Sequence, residues 1–389
     1  PFLSLIALPR AINHRIFPDR KLNRFKALYL RNAGVPDNQS TLFRDALQHT
    51  LVLNRIDIDC QAYLPAVVFL NGEYWGIYNI RDKTNADYLA ALHNINPEDI
   101  DLLEYEGRRI PTVMDGTADN YNLFYAYIDT TDLSVEENYR FVEEWMDIDE
   151  YINYQICEIY CDNVLWPDQN VRMWREKKED GKWRWILFDT DFGFGMPNMI
   201  STGYTNNTLR FATSSAAEVN PPAWSTRIFT KLLENQEFRT KFIQWFASYM
   251  NSIFHPDTVV AVINQLQNRL SLEMPRHVDR WKNEDSDYGN PIPSYGAWLS
   301  NVDVMRNFAR NRPYYQRQHI IDYFGLSGTS VLKLNMEDPG KGSVKINNAE
   351  LITNHAEGIY FKDVPVELKA IPKVGYRFVR WDGIVLDSI

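Results

Sequence analysis

The chain has 389 residues, a formal net charge of −10 at pH 7 and 14% aromatic residues. That length suits one large domain with a smaller one, and the aromatic content speaks for a packed globular body rather than a disordered or coiled-coil protein. The acidic balance argues against a general nucleic-acid binder, which needs a basic face, and fits a basic protein partner instead.

No stretch approaches the roughly 20 apolar residues of a membrane span, so no transmembrane segment is expected. The three cysteines, Cys60, Cys157 and Cys161, make neither an even disulfide framework nor a zinc site. Cys157 and Cys161 share one face of a predicted helix and read as small buried residues. The seven histidines show no HxH or HExxH pair, which excludes a histidine-built metal centre of those kinds.

In chain order, the apolar start at residues 1–9 lacks the charged lead of a signal peptide and reads as interior strand or loop. Residues 25–34 alternate as a strand, and 41–53 form an amphipathic helix with Ser40 in place to cap it. The β-rich runs 67–70 and 75–80 flank Asn71-Gly72-Glu73-Tyr74, whose Asn-Gly supplies the positive φ angles of a hairpin turn. At the hairpin exit, Arg81, Asp82 and Lys83 are either structural ion pairs or groups facing a nucleotide. A helix follows at 86–93, then a strand within 97–110 and helices across 115–146.

From Asp147, the residues Ile148, Ile152, Ile156, Ile159 and Tyr160 repeat at helical spacing until a polar, proline-containing loop opens at Asp162. Residues 183–188 then read as a buried strand that delivers Asp189 and Asp191 into a turn bounded by Gly193 and Gly195. Two acids one residue apart at a strand end suggest a divalent metal. Asp191-Phe192-Gly193 also spells the tripeptide whose Asp holds Mg²⁺ in protein kinases. In that chemistry a metal-binding Asn lies upstream, and Asn170 is well placed for it. The base expected five residues before that Asn falls on Leu165, which can neither accept a proton nor bind a metal.

Residues 196–224, rich in Asn, Thr, Ser and Pro, read as an irregular loop of the kind that forms lids or binding surfaces. The apolar stripes of 225–324 predict a helical lobe. A boundary at Leu326-Ser327-Gly328 opens an all-β tail, punctuated by turns at Pro339-Gly340, Asn347-Asn348 and 373–375.

Five motifs in order, LRNAG (30–34), RDAL (44–47), FLNGEYWGIYNIRDK (69–83), WPDQNVRMWR (166–175) and WRWILFDTDFGFG (183–195), resemble the CotH family of spore-coat or secreted atypical kinases, in a Bacteroides-like form. The resemblance implies an α+β, two-lobed kinase-like domain over 1–326, with a strand-rich N-terminal lobe and a helical C-terminal lobe. It implies Mg²⁺ and ATP, with Asn170, Asp189 and Asp191 on the metal and Arg31, Asp82 and Lys83 toward the nucleotide. It further implies phosphotransfer to Ser or Thr of a protein acceptor, possibly a basic and Ser-rich one, outside the cell or at its surface.

The family loop reads Asp-Trp-Pro-x-Asn-Asn, so Leu165 stands where its Asp belongs and Gln169 where its first Asn belongs. Asp162 and Asp168 are the available substitutes for the base. Asp82 stands where the family carries Glu, and no glycine precedes Arg24, where a phosphate-covering loop and its Lys are expected; the chain reads as a fragment beginning inside the fold. These departures imply an impaired pseudokinase or scaffold. The alternative is a cell-surface adhesin that binds glycan or peptide. The tail, 327–389, resembles an InlB-type B-repeat with Tyr376, Phe378 and Trp381 as its core aromatics.

Overall fold

The computed structural model describes residues 11–196, 203–214, 221–284, 291–351 and 355–383. A short pair, β1 (Ile12–Asn13) with β2 (Arg24–Phe25), precedes β3 (Leu28–Arg31). Helix α1 (Arg44–Val52) follows, then the hairpin β4 (Tyr63–Leu70) and β5 (Glu73–Asp82). Asn71 and Gly72 both take positive φ, +50° and +86°, as the tight turn requires. The sheet order β3-β5-β4 places the hairpin strand β5 at the centre.

Ser40 does not cap α1. Phe43 holds the cap position without a side-chain acceptor, and Ser40 Oγ donates to Asp37 Oδ1 at 2.7 Å. The Asp37 carboxylate does the capping from outside the helix, since its Oδ2 accepts Arg44 N at 2.8 Å and its Oδ1 accepts Thr41 N at 3.2 Å.

Helix α2 (Ala86–His93) starts at an Asn85 side-chain cap and stops at Asn94 in the left-handed region. A second sheet has the order β7-β6-β8-β9, from β6 (Ile100–Glu106), β7 (Thr112–Asp115), β8 (Gln169–Glu176) and β9 (Arg184–Ile186). Between its halves run α3 (Asp119–Thr130), α4 (Glu136–Trp145) and α5 (Ile148–Cys161). Strand β9 is shorter than the sequence suggests: Leu187 N leaves the ladder and donates to Asp59 O at 2.8 Å, which turns the chain toward Asp189.

Helix α5 is buried nearly all round. Next come α6 (Thr208–Ala212), α7 (Ala223–Leu232), α8 (Gln236–Met250), α9 (Pro256–Ser271), α10 (Met274–Trp281) and α11 (Tyr295–Phe324). Helix α5 packs on α6, on α8 and, through Arg312, on α11, whereas α7 lies on α3, α9 on α1 and α11, and α10 on β5. The described part of the expected irregular loop thus contains α6 and a 3-10 turn at Gly203–Thr205. The first sheet is clamped to the helices at Gly76, where Ile77 N donates to His277 Nδ1 at 3.0 Å and Trp281 Nε1 donates to Trp75 O at 2.9 Å. A Cβ at Gly76 would lie 2.7 Å from His277 Nδ1, so this approach requires glycine. Burial lowers the His277 pKa to about 4, which keeps the ring neutral and able to accept.

After Gly325 ends α11 in the left-handed region, the tail forms β10 (Thr329–Asn335), β11 (Gly342–Ile346), β12 (Ala349–Leu351), β13 (His355–Phe361) and β14 (Leu368–Pro372). Its sheets have the orders β10-β13 and β12-β11-β14. The run from Tyr376 to Trp381 pairs with no strand, and Tyr376 and Phe378 are 53% and 45% exposed, so they are not core aromatics; of the three, only Trp381 packs against the core. The tail buries Val344, Ile346, Tyr360 and Phe361 instead, in the same continuous core as the helices. The apolar start, residues 1–9, lies outside the described residues.

Candidate active site

Strand β3, helix α1 and the turn after β9 converge on one charged cluster. Arg31, on β3, reaches Asp189 and Asp191 with a single nitrogen, Nη2, bonded to Asp189 Oδ1 and lying 2.9 Å from Asp191 Oδ2. Its Nη1 lies 3.7 Å from Asp45 Oδ2 on α1. Burial opposes a charge there, but Asp189, Asp45 and Asp191 together raise the Arg31 pKa and hold the guanidinium ionised.

Asp45 is the hub on the helix side. It accepts from Arg81 Nη1, from Thr190 N at 2.9 Å and Thr190 Oγ1 at 3.1 Å, and pairs with His49 Nε2 at 3.2 Å. Burial alone would raise its pKa; Arg81 and then His49 overcome that and hold the carboxyl well below its usual range. The His49 Nδ1 accepts Gln61 N at 2.9 Å, which assigns the proton to Nε2 and points it at Asp45. Burial lowers the His49 pKa, so the ring is neutral. The Asp189–Asp191 turn is therefore tied to α1 through Thr190, and Gln48 Nε2 adds a bond to Thr190 O.

Asn170 heads β8 with φ of +58°, and its Nδ2 donates to Asp189 O at 3.4 Å. The amide and the two acids, carried by separate stretches of chain, thus share one site. Asp191 is 2% exposed. Burial, then the neighbouring Asp189 charge, raises its pKa well above its ordinary value, with Arg31 only partly offsetting them. Gly34 passes so close that a Cβ would lie 2.4 Å from Asp191 Oδ2; its φ is +80°. Arg44 fastens the far side of the turn by donating to Gly193 O at 3.2 Å and Phe194 O at 2.6 Å.

Beside the cluster opens a cleft of about 110 Å³ lined by Tyr29, Arg31, Gln61, Arg81, Arg172 and Phe188, with Leu30 and Asp189 completing it. Arg172 lies 3.5 Å from the Phe188 ring centroid and pairs with Glu104 at 3.0 Å. The three guanidiniums are each paired with a carboxylate, Arg31 with Asp189, Arg81 with Asp45 and Arg172 with Glu104, and the rings of Tyr29 and Phe188 line the cleft beside them.

The other sequence candidates have different surroundings. The Asp82 carboxylate is buried against Arg20 Nε at 3.1 Å and Ala62 N at 2.8 Å, and Asp82 does not line the cleft. Burial raises its pKa, which Arg20 only partly reverses. Lys83 Nζ lies 5.9 Å from the Tyr29 ring centroid, and Lys83 is not among the residues lining the cleft. Asp162 caps α5 at φ of +57°, and its Oδ1 accepts from Asn206 Nδ2 and from Thr208 Oγ1 at 2.7 Å. Asp168 is half-buried, its carboxyl raised by burial, and its carbonyl accepts Gly107 N at 2.7 Å. Sequence reasoning missed Asp45, His49, Arg172 and Phe188. The i, i+4 spacing of Asp45 and His49 within RDAL and its continuation was the one available signal.

A helix-borne carboxylate paired to a strand-borne guanidinium, beside an Asp-Phe-Gly turn and an asparagine at a strand head, resembles the layout of a kinase cleft. The chain belongs to the CotH kinase family: the family model, described as CotH kinase protein, matches residues 12–316. No curated protein matches the chain.

Proposed function

We propose that this protein is a CotH-type kinase homologue that binds Mg²⁺-ATP in the arginine-lined cleft and has lost most of its phosphoryl transfer, working at the cell exterior as a pseudokinase or scaffold. The observation that carries the reading is that Asp189 and Asp191 meet on Arg31 while Asn170 Nδ2 bonds the Asp189 carbonyl at 3.4 Å. Asp189 and Asp191 share the Arg31 guanidinium, so carboxylate oxygens of the kind that bind Mg²⁺ gather at one turn, although among the described residues no three acidic, thiol or imidazole groups cluster as a ready metal site. Bound Mg²⁺ would neutralise charge on the phosphates. Arg31, Arg81 and Arg172 would orient the anion, and Tyr29 and Phe188 would cover a flat base.

What supports impairment is the loop after α5. Leu165 offers no base, and Asp162 is engaged by Asn206 and Thr208. Loss of a general base costs about 10²–10⁴-fold in rate while leaving binding intact. The helices of the described residues include none long and apolar enough to cross a membrane.

Calorimetric titration of Mg²⁺-ATP into the protein tests the reading. Saturable heat that disappears in Asp191→Ala is expected, and no heat with the wild type would remove the nucleotide site. With labelled ATP and a basic, Ser-rich acceptor protein, Leu165→Asp is expected to raise transfer by about tenfold or more. Unchanged turnover would show that position 165 is not where the base acts.

A further inference from the structure

A second groove lies far along the chain from the acid cluster, between the end of α8, α11 and β13, with a volume of about 540 Å³. We infer that it binds an extended acidic peptide segment. One wall comes from α11, where spacings of four and three residues set Arg310, Tyr314 and Arg317 on one face. Tyr314 is 70% exposed.

Arg317 is half-buried, yet its hydrogen-bond partners are neutral: Pro313 O at 3.4 Å and Asn251 Oδ1 at 3.2 Å. Its Nε has no partner at all. Among the described residues Arg317 pairs with no carboxylate, so it is a half-desolvated cation without a counter-charge. The fully buried Arg312 shares that lack, but its guanidinium is spent on the carbonyls of Ile159, Tyr160, Tyr204 and Asn206 and on Thr208 Oγ1, whereas Arg317 Nε is left unbonded. Burial accordingly lowers its pKa. Arg310, exposed on the same wall, makes no ion pair or side-chain hydrogen bond among the described residues.

The opposite wall is a sheet edge. Asn251 Nδ2 donates to Ile359 O at 2.9 Å and its Oδ1 accepts Ile359 N at 3.1 Å, so the peptide groups of Ile359 face away from β10. Antiparallel alternation turns the N–H and C=O of Glu357 to that same outer edge. The Glu357 side chain is drawn to Lys333, its cross-strand neighbour, at 3.3 Å. The groove therefore offers a backbone donor and acceptor, a tyrosine face and two unpaired guanidiniums. A small anion would use only the guanidiniums, whereas an acidic strand uses every element.

The test is fluorescence anisotropy on the whole chain with a labelled heptapeptide alternating glutamate and valine. Saturable binding is expected, weakened about tenfold by Arg310→Gln and at least as much by Arg317→Gln, with a glutamine-valine peptide correspondingly weaker. Arg310 is exposed, so its variant carries the test even where Arg317→Gln perturbs folding, which a thermal melt reads. Asp191→Ala should bind the peptide like the wild type, which separates this site from the nucleotide cleft. The proposal is overturned by no binding, by equal binding of the glutamine-valine peptide, or by inorganic phosphate displacing the peptide at the peptide's own concentration.

Discussion

At the residue scale, the buried carboxyls divide into two kinds according to what faces them. Asp45 meets Arg81 and stays ionised, whereas Glu158, on α5, meets only Asn163 Nδ2 at 2.9 Å; burial pushes its pKa to about 8. A raised carboxyl pKa means that the folded state holds a proton the unfolded chain has released. The stability from Glu158 is therefore full below pH 4.5 and is lost as pH rises toward about 8. Glu158→Gln keeps an acceptor for Asn163 and removes the titration. Urea midpoints measured at pH 5 and pH 8 should differ less in that variant than in the wild type, and an undiminished difference would show that Glu158 is ionised throughout.

At the scale of elements, α1 is the lever between the first sheet and the Asp189–Asp191 turn. Its Asp45 joins Arg81 of β5, Arg31 of β3 and the amide of Thr190. Asp45→Asn leaves buried guanidiniums short of a charge partner, which should cost about 3–5 kcal/mol in chemical denaturation. Mg²⁺-ATP binding should weaken along with it, because Arg31 and the turn lose a common anchor. If the variant unfolds like the wild type, the hub is not holding these elements together. The hairpin was legible in advance, since Asn71-Gly72 names its own turn, as was α2, bracketed by Asn85 and Asn94. The start of α1 was not, because its cap is Asp37, seven residues before Arg44 and outside any local capping pattern.

At the scale of the whole molecule, the β tail is seated on the helices. Gln244 Nε2 donates to Val364 O at 2.7 Å and Asn347 Nδ2 donates to Ser248 Oγ at 3.2 Å, around the shared burial of Tyr360 and Phe361. Tyr360→Ala should therefore cost about 3–5 kcal/mol, as deletion of a buried aromatic does, and lower one common transition in scanning calorimetry. A separate tail transition that moves alone would show that the tail folds independently of the helical lobe.

The sequence by itself determined the α+β composition, the order of the principal elements and the CotH motifs, because hydrophobic period and turn chemistry act over a few neighbouring residues. It marked Asn170, Asp189 and Asp191 as a set, since kinase spacing is local and the motif is short. Only the tertiary structure decided that Arg31 spans both acids, that Asp82 turns to Arg20 and that Asp162 is spent on Asn206 and Thr208. Such pairings join residues tens to more than a hundred positions apart. Burial and the direction of a side chain select them, and neither is written in the spacing of nearby residues.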